Sequence, residues 1–349
     1  MVRGQASSIL AEIPTVKIFG QVVLVVLLFA AYSPVSKSAT NYTYDAQRPL
    51  LSLHGPARQS ALVDLDAVLS ALLVSDGHGV PYPVVVYIHG RGNEPRKSFA
   101  DTTFASGHIL EKIEEDDVRV LGFNWQSKAD DVRCGRPIDK AQASGPTFAE
   151  LLRRLVAHRN ANPNVWRGRR VVLLVHSMGS FVLRQALIEP GAADTIRALF
   201  DVRLITESDA PARDHANWLP VGNPGRTIVL SNPEDATLAQ SMRCDTTVAA
   251  RTDQPRLGAL AATDTTIARS QDATYIELPV GKTHRVFTRG GAKGNPLVCN
   301  VVRSLIRGSV PDMDAAWAVV GQANAVRIPA KQSVTDGCVV GAATDHGDE

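Results

Sequence analysis

A three-layer α/β fold, with helices on both faces of a mostly parallel central sheet, follows from three observations. Short apolar runs rich in β-branched residues alternate with stretches of helical periodicity along most of the chain. Two of the runs, Val84 to Ile88 (VVVYI) and Val171 to Val175 (VVLLV), lack the polar alternation of a half-exposed strand, so both are expected to be covered on both faces. Each ends abruptly in a glycine-containing turn, His89-Gly90 in the first and His176-Ser177-Met178-Gly179 in the second. Right-handed crossovers then gather the strand-end turns on one edge of the sheet, where open sheets bind ligands.

In chain order, Arg3 and Lys17 precede an uncharged apolar stretch, Ile18 to Tyr32, and small residues with Pro34 lead to Ala39. Residues 1–39 read as a secretory signal peptide, which implies a periplasmic or extracellular protein. An uncleaved anchor, with membrane association through residues 18–32, is the alternative, although the stretch is shorter than the roughly 20 residues of a spanning helix. Residues 40–325 form the α/β domain and residues 326–349 a tail, disordered from Gly341. Thr40 to Pro56 is polar and aperiodic, a lead-in. Ala57 to Val74 places six leucines and valines at helical spacing, and Gly77, Gly79, Pro81 and Pro83 end that helix.

After the Val84 to Ile88 strand, Phe104 to Glu115 is helical in pattern and Val118 to Trp125 is a strand. Gln126 to Pro146 is polar loop, and Phe148 to His158 is an amphipathic helix. A further helix runs from Phe181 to Pro190. Strands are expected at Asp201 to Thr206, Thr227 to Ser231 and Ala273 to Leu278, making about six. One or two helical turns follow at Ala236 to Met242, Arg243 to Asp272 carries no firm element, and helices are expected at Pro296 to Arg307 and Met313 to Val320.

With 349 residues and 44% hydrophobic content the chain can bury a large core. A net charge of +2 and the lack of a long basic helix argue against nucleic-acid binding. Cys134, Cys244, Cys299 and Cys338 contain no close C-x-x-C pair, which argues against a zinc site. In an oxidising compartment they can form two disulfides, in any of three pairings.

The chemistry centres on Ser177. A strand, a four-residue turn and a helix raise its hydroxyl over the end of the sheet, beside the free amides of a helix N-terminus. A serine needs a neutral imidazole within reach, held in one tautomer by a buried carboxylate. Of nine histidines, only His284 and His346 follow the last catalytic-edge strand, downstream of the serine, and His346 is in the tail, which leaves His284. Asp235, at the strand end between them, is the preferred acid; Glu234 beside it and Asp209 at the preceding strand end are the alternatives. The order Ser, Asp, His is that of a strand-turn-helix serine triad. The Met178 amide and the Arg91 amide are the candidate oxyanion donors, and His89 is expected to pin its turn structurally.

These residues resemble the α/β-hydrolase superfamily, and within it a bacterial branch with a Y-x-H-G turn (Tyr87, His89, Gly90), an F-x-W strand (Phe123, Trp125) and an H-S-M-G elbow (His176 to Gly179). Asn232, Asp235, Ala236 and Leu238 resemble the branch's acid-bearing segment, and His284 its late histidine. The resemblance spans Pro83 to Phe287 and implies an α/β-hydrolase fold and serine hydrolase chemistry without a cofactor. Its substrate would be a small-molecule or lipid-like ester. A non-catalytic binding protein on the same fold is the alternative. Nucleotide binding through Gly281-Lys282-Thr283 is argued against, because position 276, where a phosphate loop needs glycine, is isoleucine.

Overall fold

The computed structural model describes residues 50–54, 65–75, 78–92, 119–128, 134–222, 226–246, 254–278, 281–282, 284, 304–306, 308, 318–319 and 325–327. The chain divides into two units, Met1–Asn41 and Tyr42–Glu349, and every described residue belongs to the second. The signal or anchor expected over residues 1–39 and the helix expected over Phe104 to Glu115 fall outside the described residues, as do Cys299, Cys338 and the tail beyond 327. No described helix is long and apolar enough to cross a membrane.

Among the described residues, nine strands form one sheet: β1 (Leu50–His54), β2 (Val84–Ile88), β3 (Arg119–Asn124), β4 (Val171–His176), β5 (Val202–Thr206), β6 (Thr227–Ser231), β7 (Ala273–Glu277), β8 (Ala318–Val319) and β9 (Ala325–Arg327). Their order is β1-β3-β2-β4-β5-β6-β7-β9-β8, parallel throughout except for the β8–β9 pair. The chain leaves β2 toward β3 on one side and leaves β4 toward β5 on the other. The carboxyl ends of β2 and β4 therefore flank the switch point at which doubly wound sheets hold their ligands.

Every residue of β2, β4, β5 and β6 is buried. Val84, Val86, Ile88, Val171, Leu173 and Val175 belong to one contiguous core cluster. Val85, Tyr87, Val172 and Leu174 point to the opposite face, because strand side chains alternate, and are just as buried. Two covered faces make three layers, and burial of each valine or leucine contributes about 1.5–3 kcal/mol.

The helices on the first face, one long and three short, are mutually packed. They are α2 (Ile138–Ala143), α3 (Gly145–Ala161), α5 (Gly179–Ala186) and α6 (Ala192–Leu199). Proline sits in the first turn of α3, where a missing N–H costs nothing. Phe148, Leu151, Leu152 and Leu155 form its inward stripe, and the Phe148 ring meets Phe123 of β3 edge-on at 5.0 Å. The remaining helices are α1 (Leu65–Leu72), α4 (Pro163–Trp166), α7 (His215–Trp218) and α8 (Ala236–Thr246), with a 3-10 turn at Leu257–Ala259.

The structure departs from the sequence reading at several elements. The lead-in contains β1, which becomes a strand by pairing in register with β3 from Leu50↔Val120 to His54↔Asn124. The expected loop 126–146 contains α2, stabilised by packing against α5 rather than by an apolar stripe of its own. Gly191, at φ 74, starts α6, an element the periodicity did not reveal. Within Met313 to Val320, residues 318–319 are strand, not helix, and β9 carries the sheet to Arg327, two residues past the expected boundary at 325. Two- and three-residue strands carry too little pattern to be read without their partners.

Candidate active site

Register brings the turns together before any side chain is considered. Ile88 pairs with Val175, so Gly90 comes level with Ser177, and His176 pairs with Thr206, so Glu207 comes level with Ser177 on the other side. Two glycines allow the approach. A Cβ on Gly90 would lie 2.8 Å from the Ser177 Cβ, and one on Gly179 would lie 2.7 Å from the Ile88 carbonyl oxygen. Glycine at both is the condition for the Ser177 turn to sit against β2.

Ser177 occupies the left-handed region at φ 52, a strained conformation for a non-glycine residue. Its amide donates to Thr206 O at 3.0 Å, and its carbonyl accepts from the Asp209 amide at 3.2 Å and the Ser180 hydroxyl at 2.7 Å. The backbone is thereby held on three sides while the side chain is directed outward.

The Ser177 Oγ donates to His284 Nε2 at 2.8 Å, and His284 Nδ1 donates to Asp235 Oδ2 at 2.6 Å. Asp235 is 1% exposed, and its other oxygen accepts the Thr237 and Leu238 amides at 2.8 and 3.0 Å, capping α8. One carboxylate oxygen is therefore spent on the helix and the other is aimed at the imidazole. Glu234 is exposed and does not enter the line. The turn bearing His284 is tied down by Asn232 Nδ2 donating to Gly281 O at 2.8 Å and the Ala236 amide to Lys282 O at 3.3 Å.

Asp209 is buried too, but among cations. Arg136 donates to its Oδ2 from Nε at 3.1 Å and from Nη2 at 2.5 Å, and Arg256 Nε lies 3.5 Å from Oδ1. Both arginines also pair with Asp245. Burial alone would lower the Arg136 pKa, and the two aspartates outweigh it and push it up. A disulfide joins Cys134 to Cys244, so the 126–146 and 243–272 segments are linked covalently beside this cluster. The sequence reading missed Arg136, Asp245 and Arg256, since nothing in a polar loop marks which of its arginines is internal.

On the β2 side, the His89 ring stacks on Trp125 at 5.6 Å, His89 Nδ1 donates to Gly90 O at 2.8 Å, and Trp125 Nε1 donates to His89 O at 2.8 Å. These contacts fix the His89-Gly90 turn. The Gly92 amide is committed to Ser127 O at 3.1 Å, whereas among the described residues the Arg91 and Met178 amides donate to no acceptor. Two unspent donors thus flank the serine, one on each side of the switch point.

A separate depression of ≈ 690 Å³ lies at the opposite edge of the sheet, lined by Arg159, Arg167, Arg169 and Arg170 with Trp166 and Asp201. Its arginines are engaged with the scaffold: Arg159 donates to Ala198 O and Leu199 O at the end of α6, and Arg170 to Leu305 O. Arg159 thereby complements the carboxyl end of α6.

The family model described as "Alpha/beta hydrolase of unknown function (DUF900)" matches residues 80–280, more than half of the chain. Among solved structures, the catalytic core domain of acetyl xylan esterase from Trichoderma reesei is similar over 66% of this chain and 99% of its own, with 10% identity and a TM-score of 0.33. No curated protein matches the chain.

Proposed function

Because the chain belongs to the DUF900 family of α/β hydrolases, we propose that it is a serine hydrolase acting on carboxylic esters through Ser177, His284 and Asp235. The observation that carries this reading is the unbroken line of hydrogen bonds from hydroxyl to imidazole to carboxylate, at 2.8 and 2.6 Å. Ser177 Oγ attacks the ester carbonyl carbon while His284 Nε2 takes its proton. His284 returns that proton to the departing alkoxide, leaving an acyl-enzyme that water cleaves by the same steps in reverse. Asp235 holds the tautomer with the proton on Nδ1 and stabilises the imidazolium. The oxyanion that develops is met by the Met178 and Arg91 amides, whose freedom from acceptors among the described residues supports that role.

The H-S-M-G elbow and the H-G turn support the bacterial branch named above. The segments beside the site, 126–146 and 243–272, meet through charged side chains and a disulfide, which favours short or soluble acyl groups over long lipid chains. The Cys134–Cys244 bridge also favours the oxidising compartment expected from residues 1–39.

A fluorophosphonate probe is expected to label the wild-type protein and not Ser177→Ala, and a series of 4-nitrophenyl esters is expected to give the highest kcat/KM at short acyl length. A folded wild-type protein that neither takes the label nor cleaves any ester of the series would instead support a binding protein on a hydrolase fold.

A further inference from the structure

One strand over from Ser177 sits a carboxyl group that this mechanism does not use. Glu207 is completely buried, at 0% exposure, and adopts φ 39, a second strained residue next to the first. Among the described residues neither of its carboxyl oxygens has a well-formed hydrogen bond: the adjacent Thr206 hydroxyl, though close enough to lower the Glu207 pKa, is directed to Val175 O at 3.1 Å. Burial pushes its pKa well above the usual carboxylate range, and nearby Asp235 adds to the rise while His284 opposes it. For folding alone this is a poor choice: a strained, buried acid with so few polar partners costs stability that a well-packed apolar side chain would keep.

What Glu207 does face is His176. Its Oε2 lies 3.3 Å from His176 Nε2, and the same nitrogen is 3.5 Å from the His284 carbonyl oxygen. The His176 and His284 rings are 5.2 Å apart, tilted by 42°. On its other side His176 abuts the H-G turn, where a Cβ on Gly90 would come within 2.9 Å of Nδ1. His176 thus fills the space between the two turns and the histidine of the relay. Tyr87 from β2 and Asp235 from the end of β6 are the other ionisable groups whose charge bears on Glu207.

We infer that Glu207 and His176 are a positioning pair for the proposed hydrolysis: the Glu207 carboxyl fixes the ring orientation of His176 through Nε2, and His176 holds the His284 ring and backbone in line with Ser177. The inference rests on the serine-hydrolase reading. It explains why a fold would retain a strained, buried carboxyl beside its nucleophile turn.

The test uses full-length protein carrying Glu207→Gln, His176→Phe or both, with Glu207→Leu as a second removal of the acid and Ser177→Ala in parallel. Each single variant is expected to lower kcat on 4-nitrophenyl acetate by about 10- to 100-fold, as for a slightly misplaced catalytic group, with KM within about twofold. The Tm of Glu207→Gln should equal or exceed that of wild type, and the double variant should be no slower than the slower single. The inference is overturned by kcat within about twofold of wild type in Glu207→Gln, by losses that multiply in the double variant, or by losses that follow the folded fraction, including failure of both Glu207 variants to fold. Hydrolysis that survives in Ser177→Ala would defeat the serine-hydrolase reading itself, whatever the pair does.

Discussion

Asp209 and Asp235 stand past the ends of neighbouring parallel strands, both almost fully buried, and differ in what surrounds them. Past β5, Asp209 meets the guanidinium groups of Arg136 and Arg256, which Asp245 completes as a charge-balanced set of two cations and two anions. Past β6, Asp235 meets two backbone amides and one imidazole. An aspartate whose partners are permanently charged holds structure together. One whose partner can gain and lose a proton can support proton transfer. The role of a carboxylate at a strand end is decided by its neighbours rather than by the strand end.

The largest effect expected from this contrast is that of Asp235→Asn. Asparagine keeps an oxygen for the α8 cap but cannot hold the imidazole in its tautomer, so kcat on 4-nitrophenyl acetate should fall by roughly 10³- to 10⁴-fold. Urea unfolding should show little change. Comparable activity in this variant would move the proposed acid elsewhere. Asp209→Asn should behave in the opposite way. Breaking a buried pair while leaving its partner charged costs about 3–5 kcal/mol, visible in the urea midpoint, while turnover per folded molecule stays near wild type.

Replacing Cys134 and Cys244 by serine removes a link between residues 110 apart, and should cost about 2–5 kcal/mol in the same urea assay. If activity falls further than stability explains, the bridged segments also shape the substrate site. The smallest effect is in acid. Burial pushes the Asp245 pKa up, but hydrogen bonds from Arg136 and Arg256 outweigh it, and the folded value lies below that of an ordinary aspartate. Such a group contributes stability that is present above its unfolded pKa and is lost as the pH falls through the folded one. Asp245→Asn should therefore lose less stability than wild type as the pH is lowered below about 4.

Much of the central sheet was legible in the chain. Val84 to Ile88 and Val171 to Val175 read as strands covered on both faces, Thr227 to Ser231 reads as a short strand, and the turns that follow the last two point to Ser177 and Asp235. Strand β1 was not legible: LLSLH sits in polar surroundings and is a strand only because β3 offers it an edge. Nor was α2, whose small apolar content matters only against α5. Glu207 was visible as a charged residue closing an apolar strand, but its contact with His176 depends on the register between β4 and β5.

The sequence by itself determined the alternation of strands and helices, and with it an edge on which serine, aspartate and histidine turns could gather, because local periodicity and turn chemistry are properties of neighbouring residues. Only the tertiary structure decided which aspartate meets His284, which arginines are internal and which cysteines are joined. Those pairings span from 11 to 110 residues of chain, and hydrogen bonds at 2.6 to 2.8 Å depend on strand register and helix packing that no single segment encodes.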